Sequence, residues 1–294
     1  MKRFRRHRVI PYVFTAPFMV VFLVFLVVPV VYAIYLSMFQ MQHRTLSPDV
    51  RVFAPWANYS RALTDPTFLN SLANIAKYMV LQVPVMLLFA VIVALVLDSG
   101  GGRARKILRL AVFIPYAIPG VIAGILWSYL YSRNVSPINQ AVQGAGFSPI
   151  DFINPSIILA SVANIIIWVA TGYNAVILYS ALRNIPRDLY DAAAVDGARP
   201  WHVILYIKLP MLRPALVLTG IFSIIGAMQI FGEPYMLRSL GNVSGDITPN
   251  TVIYNAATRD ANFNYGAALA VILAVITFAL SMITLWLTNR GRKA

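Results

Sequence analysis

Residues 78–97 read YMVLQVPVMLLFAVIVALVL, bounded by Lys77 on one side and Asp98 on the other. No residue inside the run is charged. A helix needs about 20 consecutive apolar residues to cross the hydrocarbon core of a bilayer, and this run has that length. Five further stretches lack Lys, Arg, Asp and Glu over a comparable or greater length: 9–43, 110–132, 152–182, 214–232 and 261–289. Each is rich in Val, Ile, Leu, Phe and Ala. The segment 134–150 is also uncharged, but Asn134, Ser136, Pro137, Asn139, Gln140, Gly144 and Gly146 make it read as a loop. The expectation is an all-α, multi-pass membrane protein with a single transmembrane domain over 1–294. Its six spans fall at about 12–39, 73–97, 109–131, 156–181, 214–235 and 265–288.

The chain is 59% hydrophobic, with 24 Lys and Arg and 10 Asp and Glu in 294 residues, too apolar for one soluble domain. The basic residues are unevenly placed. Lys2, Arg3, Arg5, Arg6 and Arg8 precede the first span; Arg103, Arg105, Lys106 and Arg109 follow the second. Arg183, Arg187, Arg199, Lys208 and Arg213 follow the fourth, and Arg290, Arg292 and Lys293 end the chain. Cytoplasmic loops retain Lys and Arg, so both termini are expected in the cytoplasm. The net charge of +14 is then a matter of topology, and no nucleic-acid partner is expected. The first apolar run is longer than the 7–15 residues of a signal peptide's apolar region, so it reads as a span. With no cysteine and only His7, His43 and His202, the chain offers no disulfide framework and no metal-ligand spacing.

Within the spans, Pro29, Pro115 and Pro119 mark expected bends, and Gly120 with Gly124 forms a face of small residues on which another helix can approach closely. The outer loop 40–70, with Pro48, Pro55, Trp56, Tyr59 and Pro66, is expected to be ordered with its aromatics at the membrane interface. Polar residues inside spans are few: Gln82, Asn164, Asn174 and Gln229, with Glu233 near the end of span five. A carboxylate at mid-membrane costs about 2.5–3.5 kcal/mol on insertion scales, so Glu233 needs water, a partner or a role.

The segment 184–210 between spans four and five is patterned as two short helices. Asn184 can cap the first, with Pro186 in its first turn and Asp188 near the positive end of the dipole. Leu189, Ala192 and Ala193 share a face, and Gly197 supplies a stop. Pro200 can open the second, on which Trp201, Ile204 and Leu205 fall at i, i+3 and i+4 before Pro210 ends it. Periodicity alone is equally compatible with docking to a soluble partner and with lying on the inner leaflet.

Asp191-Ala192-Ala193, Gly197 after three intervening residues, then Ile207, Leu209 and Pro210 after nine more, match the EAA signature of permease subunits of binding-protein-dependent ABC importers. The chain resembles the MalF/UgpA-like carbohydrate permease family, of type I ABC importers, over nearly its whole length. Weaker motifs agree: Asn58-Tyr59, Asn70 to Asn74, Phe113-Ile114-Pro115 with Trp127, Phe231 to Tyr235, and Tyr265 to Ala268. Three features depart from the family. Asp191 stands where Glu is usual, the glycine-rich turn after span five is imperfect at Arg238 to Asn242, and the maltose subunit's extra N-terminal spans and large outer domain are absent.

The resemblance implies a coupling role at a cytoplasmic ATPase for Asp188, Asp191, Ala192, Ala193, Gly197, Trp201, Ile204, Leu205, Ile207, Leu209 and Pro210. It implies that substrate passes spans four and five, at Trp168, Tyr173, Asn174, Gln229 and Glu233, whose aromatic and polar groups suit a sugar. The implied partners are a second homologous permease, two ABC ATPase subunits, an extracytoplasmic solute-binding protein and a carbohydrate such as a sugar, an oligosaccharide or a glycerol-phosphate-like solute. The implied place is a bacterial or archaeal cytoplasmic membrane, where the sequons at Asn58, Asn134 and Asn242 are incidental. The chain has no G-x-x-x-x-G-K-[ST] sequence, so ATP and Mg are expected on the partner ATPase and this chain is expected to be neither an enzyme nor a cofactor binder. A self-sufficient secondary transporter or channel would need intramembrane charge pairs or inverted repeats, and an intramembrane enzyme a nucleophile, base or metal set; neither pattern is present.

Overall fold

The structure is a computed structural model describing residues 2–44, 47–238 and 246–290. In chain order it runs α1 (Lys2–Phe22), a π-helical turn at Leu23–Val27, α2 (Val28–Ser37), β1 (Phe39–Arg44), β2 (Ser47–Phe53), α3 (Ala57–Thr64), α4 (Pro66–Ser99) and α5 (Gly102–Phe113). A 3₁₀ turn at Ile114–Ala117 leads to α6 (Gly120–Tyr131), α7 (Pro137–Gly144), α8 (Ile158–Arg183), α9 (Arg187–Val195) and the short α10 (Pro200–His202). A second π segment, Val203–Lys208, passes into α11 (Leu209–Met228), followed by α12 (Gly232–Arg238), α13 (Pro249–Thr258) and α14 (Phe263–Arg290).

Among the described residues, five helical segments are long and apolar enough to cross a membrane: Tyr12–Ser37, Pro66–Ser99, Ile158–Arg183, Pro200–Arg238 and Phe263–Thr288. Gly102–Ala117 with Gly120–Tyr131 makes a sixth if the pair is one span, but the two are bent by 97°. The expected third span is therefore broken rather than kinked. Pro115 and Pro119 remove two backbone donors within one turn, and Ile118 turns extended (ψ 122°) between them, so the ladder cannot continue.

Two prolines are absorbed by the same device. The first π segment ends at Val27, two residues before Pro29, and the second ends at Lys208, two residues before Pro210. The wider turn of i→i+5 bonding makes room for a ring that would strike the carbonyl one turn back. Pro210 consequently does not end the second loop helix as expected: the helix runs from Pro200 on into α11. It then stops at Met228, residues 229–231 are non-helical, and α12 follows, so the expected continuous span 214–235 is interrupted.

The chain divides into two compact units, residues 1–69 with 252–274, and 70–251 with 275–294. In the first, β1 and β2 pair antiparallel with Phe39 opposite Phe53 and Gln40 opposite Val52. The end of α2 carries carbonyls with no helical partner. Buried Asn58 donates to the Ser37 and Phe39 carbonyls (2.9 and 2.8 Å), and Asn264 donates to that of Leu36 (2.8 Å). Asn58 is spent on capping, which leaves its sequon no free amide. Tyr265 donates its hydroxyl to Asp65 (2.6 Å) beneath the Arg61 guanidinium, 4.1 Å from the ring centre. A Cβ on Gly266 would meet Ala257 Cβ at 3.3 Å, so the glycine sets how closely α14 passes α13.

In the second unit, Ala90 and Ala94 of α4, Ala175, Leu178 and Leu182 of α8, Ile185, and Leu212 of α11 form a core cluster. The region read as a plain loop at 134–150 contains α7, opened by Ser136, whose hydroxyl accepts from Asn139 N–H (3.2 Å) ahead of Pro137. Asn139 then clamps Ile150 by donating to its carbonyl (3.0 Å) and accepting its N–H (2.8 Å). Of the imperfect turn after span five, residues 239–242 lie outside the described residues, as do Arg292 and Lys293.

Candidate functional site

The loop between α8 and α11 is built by local rules. Asn184 does not cap α9: it ends α8, its N–H on the Ala181 carbonyl (3.1 Å), and buried Ile185 ties it to the core cluster. Pro186 (φ −56°, ψ 137°) opens α9 instead, its fixed φ suiting a helix start. Gly197 adopts φ +70°, and Ala198 and Gly197 donate to the Ala193 and Ala194 carbonyls at 2.9 and 3.1 Å. That is a Schellman turn, which needs a residue free to adopt left-handed φ. His202 Nδ1 accepts the Arg199 N–H (3.2 Å) and fixes the start of the second helix.

The loop thereby acquires two faces. Ala193 is buried; Tyr190 and Ile207 pack on the core cluster, and Ile204, Leu209 and Pro210 are half-buried. Asp188, Asp191, Ala192, Gly197, Trp201 and Leu205 are exposed, together with Val195 at 88% and Tyr206 at 72%. The inner face is held by an ion pair that the sequence reading did not identify: Lys208 Nζ lies 2.6 Å from Asp98 Oδ2 at the end of α4, both side chains about one-seventh exposed, and 5.8 Å from the Tyr190 ring centre. The available signal was that Asp98 is the one acid between Asp65 and Asp151, beside the basic run Arg103 to Arg109.

The five residues expected along a substrate path divide into two groups. Gln229 and Glu233 line a cavity of about 360 Å³ together with Tyr78, Gly120 and Phe231. Trp168 instead packs edge-on to Trp127 (5.7 Å), and Tyr173 stacks on Tyr116 (4.4 Å, 12°). Asn174 is buried and donates to the Ala170 carbonyl (3.0 Å), its amide 3.5 Å from the Met86 sulfur. These three sit in helix packing, not on the cavity. Tyr78 was not anticipated; a tyrosine at the start of an apolar run reads as an interfacial anchor, and only α4's place in the fold brings it to Glu233.

Glycines set the cavity wall. A Cβ on Gly120 would lie 2.4 Å from Glu233 Oε1, and one on Gly124 2.9 Å from Met236 Cβ. The small-residue face of α6 therefore receives α12, the element that carries the carboxylate. A Cβ on Gly172 would fall 1.8 Å from the Val112 carbonyl oxygen, so α8 crosses α5 backbone to backbone.

Residues 86–290 match the family model described as binding-protein-dependent transport system inner membrane component. The chain belongs to that family. It is 31% identical to the arabinooligosaccharides transport system permease protein AraP of Halalkalibacterium halodurans, over 99% of this chain and 91% of the relative. The protein of the same name from Bacillus subtilis is 32% identical over 95% and 88%. In fold it superposes on a chain of the crystal structure of the bacterial alginate ABC transporter in complex with alginate pentasaccharide-bound periplasmic protein, with TM-score 0.81, 18% identity and coverage of 100% and 98%. The matched family segment holds the whole α8–α11 loop and most of the cavity wall. Tyr78 precedes it.

Proposed function

We propose that this permease forms half of the pathway of an ATP-driven importer for a carbohydrate, and that the α8–α11 loop is its coupling surface for a cytoplasmic ATPase. The observation that carries the reading is the loop itself. Asp191, Ala192, Ala193, Gly197, Ile207, Leu209 and Pro210 keep the family spacing on a helix, Schellman turn and helix that turn Val195, Trp201 and Tyr206 outward while Lys208 anchors the inner side. An exposed aromatic on a rigid turn is the kind of anchor that fills a partner's pocket.

The assembly is this chain, a second homologous permease, two ATPase subunits that hold ATP and Mg, and an extracytoplasmic binding protein that delivers the solute. Both termini and the loop face the cytoplasm of a bacterial or archaeal cell, in keeping with the basic residues around them. Closure of the ATPases on ATP moves the two coupling loops and reverses the side to which the pathway opens. A carbohydrate cargo is supported by the relatives, one named for arabinooligosaccharides and one solved with an alginate pentasaccharide on its periplasmic protein.

Two measurements test the reading. Tagged chain purified in mild detergent from its native membranes is expected to retain an ATPase and a second permease, identified by mass spectrometry. Deleting the chain is expected to abolish energy-dependent uptake of at least one carbohydrate. Uptake by the chain alone in liposomes, without ATP, refutes the importer reading.

A further inference from the structure

We infer that the cytoplasmic end of α5 is a binding site for an anionic phospholipid of the inner leaflet, with its headgroup phosphate held by Arg103, Lys106 and Arg109 and an acyl chain lying along Ile107, Leu110 and Ile114. The inference takes from the proposed function only that the turn between α4 and α5 faces the cytoplasm.

The contacts of α5 fix which side of it is covered. Arg105 donates to the Gly100 carbonyl and to the Tyr179 hydroxyl (3.5 Å), a Cβ on Gly172 would strike the Val112 carbonyl oxygen, and Tyr116 just beyond the helix stacks on Tyr173. Positions 105, 112 and 116 repeat at intervals of seven and four, so α8 takes one stripe of the helix. The other side is bare. Arg103, Lys106 and Arg109, each about one turn from the next, are exposed, and Ile107, Leu110 and Ile114 are 67, 62 and 51% exposed. A Cβ on Gly101 or Gly102 would meet nothing within 4 Å, so the turn that leads into the helix is open as well.

Charge decides the occupant. No Asp or Glu lies between Asp98 and Asp151, and Asp98 is taken by Lys208 at 2.6 Å. Among the described residues, none of the three cations has an ion-pair partner. Three like charges within about 9 Å of helix rise repel one another until an anion comes between them. The cytoplasmic leaflet presents phosphate at this level. Ile107 and Leu110 stand four residues on from Arg103 and Lys106, and Ile114 lies about 12 Å deeper than Lys106, where an acyl chain runs and a soluble anion does not.

The chain has no cysteine, so Gly101→Cys places a single thiol on the open turn. The chain, purified with the subunits it retains, carries a fluorophore there in phosphatidylcholine nanodiscs, and quenching by brominated phosphatidylglycerol is compared with quenching by brominated phosphatidylcholine at equal mole fraction. About tenfold enrichment of the anionic lipid is expected. Arg103→Gln, Lys106→Gln and Arg109→Gln together should abolish it, whereas the same loss of charge through Arg183→Gln, Arg187→Gln and Arg213→Gln should leave it. If the first triple variant does not assemble, Lys106→Gln alone is expected to cost about threefold. No enrichment in the parent, or equal loss in both triple variants, overturns the site. Displacement of the lipid by equimolar inorganic phosphate makes it a site for a free anion, and cross-linking of Ile107→Cys to another subunit puts a protein on the face; either overturns the lipid. An impermeant maleimide is expected to reach Gly101→Cys in inside-out vesicles and not in right-side-out ones. The reverse refutes the cytoplasmic placement, a failure distinct from absent enrichment.

Discussion

Asp98 and Lys208 meet at 2.6 Å, 110 residues apart in sequence, and join the end of α4 to the α8–α11 loop. Two unit charges at that distance, at an effective dielectric of about 20, attract by about 6 kcal/mol before any cost is counted. Desolvation removes most of this. Exposed pairs are worth about 0.2–1 kcal/mol, and breaking a fully buried pair costs about 3–5 kcal/mol. With side chains 15% and 13% exposed, the pair belongs between these limits, and a coupling energy of about 2 kcal/mol is expected. Asp98→Asn, Lys208→Met and the double variant, unfolded thermally in nanodiscs, give that energy as the departure from additivity. The charge-exchanged pair Asp98→Lys with Lys208→Asp is expected to recover part of the lost stability. Solute-stimulated ATP hydrolysis by the assembled transporter should fall in each single variant and return in the exchanged pair, because the loop is then held again. Additivity within about 0.5 kcal/mol, or an exchanged pair no better than either single variant, refutes the argument that this contact positions the loop.

Gly172→Ala should be among the most damaging small substitutions in the chain. Its Cβ would fall 1.8 Å from the Val112 carbonyl oxygen, so backbone must move, and a loss beyond the usual ~1–3 kcal/mol of overpacking is expected in thermal unfolding. Gly197→Asn should be milder than Gly197→Val, since φ +70° suits asparagine far better than a β-branched residue; retention of the ATPase in detergent pull-downs should follow the same order. At Asp65, partial burial pushes the carboxyl up, but the Tyr265 hydroxyl and the Thr67 and Phe68 N–H groups more than offset it, and the net position is below the ordinary carboxyl value of 3.8. The stabilisation is therefore complete above that value and lost as pH falls through the lowered one, so the gap in melting temperature between the parent and Asp65→Asn should narrow from neutral pH toward about pH 3.

The membrane class was legible because a charge-free run of about 20 residues has few other uses, and Lys77 and Asp98 bracket one directly. The stop at Gly197 was legible for a similarly local reason: few residues other than glycine adopt φ +70° without strain. Pro210 misled because a missing donor can end a helix or be taken up by a wide turn, and which occurs depends on the packing of Tyr190 and Ile207 against α8 and α11. Asn184 misled because the same side chain suits the end of one helix as well as the start of the next. At the site, the cost of burying a carboxylate singled out Glu233 from sequence alone. Trp168 and Tyr173 could not be judged that way, because their partners Trp127 and Tyr116 lie tens of residues upstream.

Loop and cavity are not independent structures. The segment that begins at Pro200 in the loop continues through Lys208 into α11 and ends at Met228, beside Gln229 of the cavity. α8 supplies Ile166 to the cavity wall and, at its other end, Leu182 to the core on which Tyr190 and Ile207 pack. α11, 20 residues and about 30 Å long, joins the loop to the cavity as one helix with Pro214 inside it. The irregular points lie at its two ends. The π segment Val203–Lys208 stands where the loop joins it, and the non-helical residues 229–231 stand before the element bearing Glu233. Under the proposed coupling, the loop can then tilt α11 without unwinding it, and α12 can keep its carboxylate against Gly120 or leave it as α11 moves. Continuous helix between two irregular joints is what such transmission requires, and α11, helical from Leu209 to Met228 with Pro214 inside it, lies between two such joints.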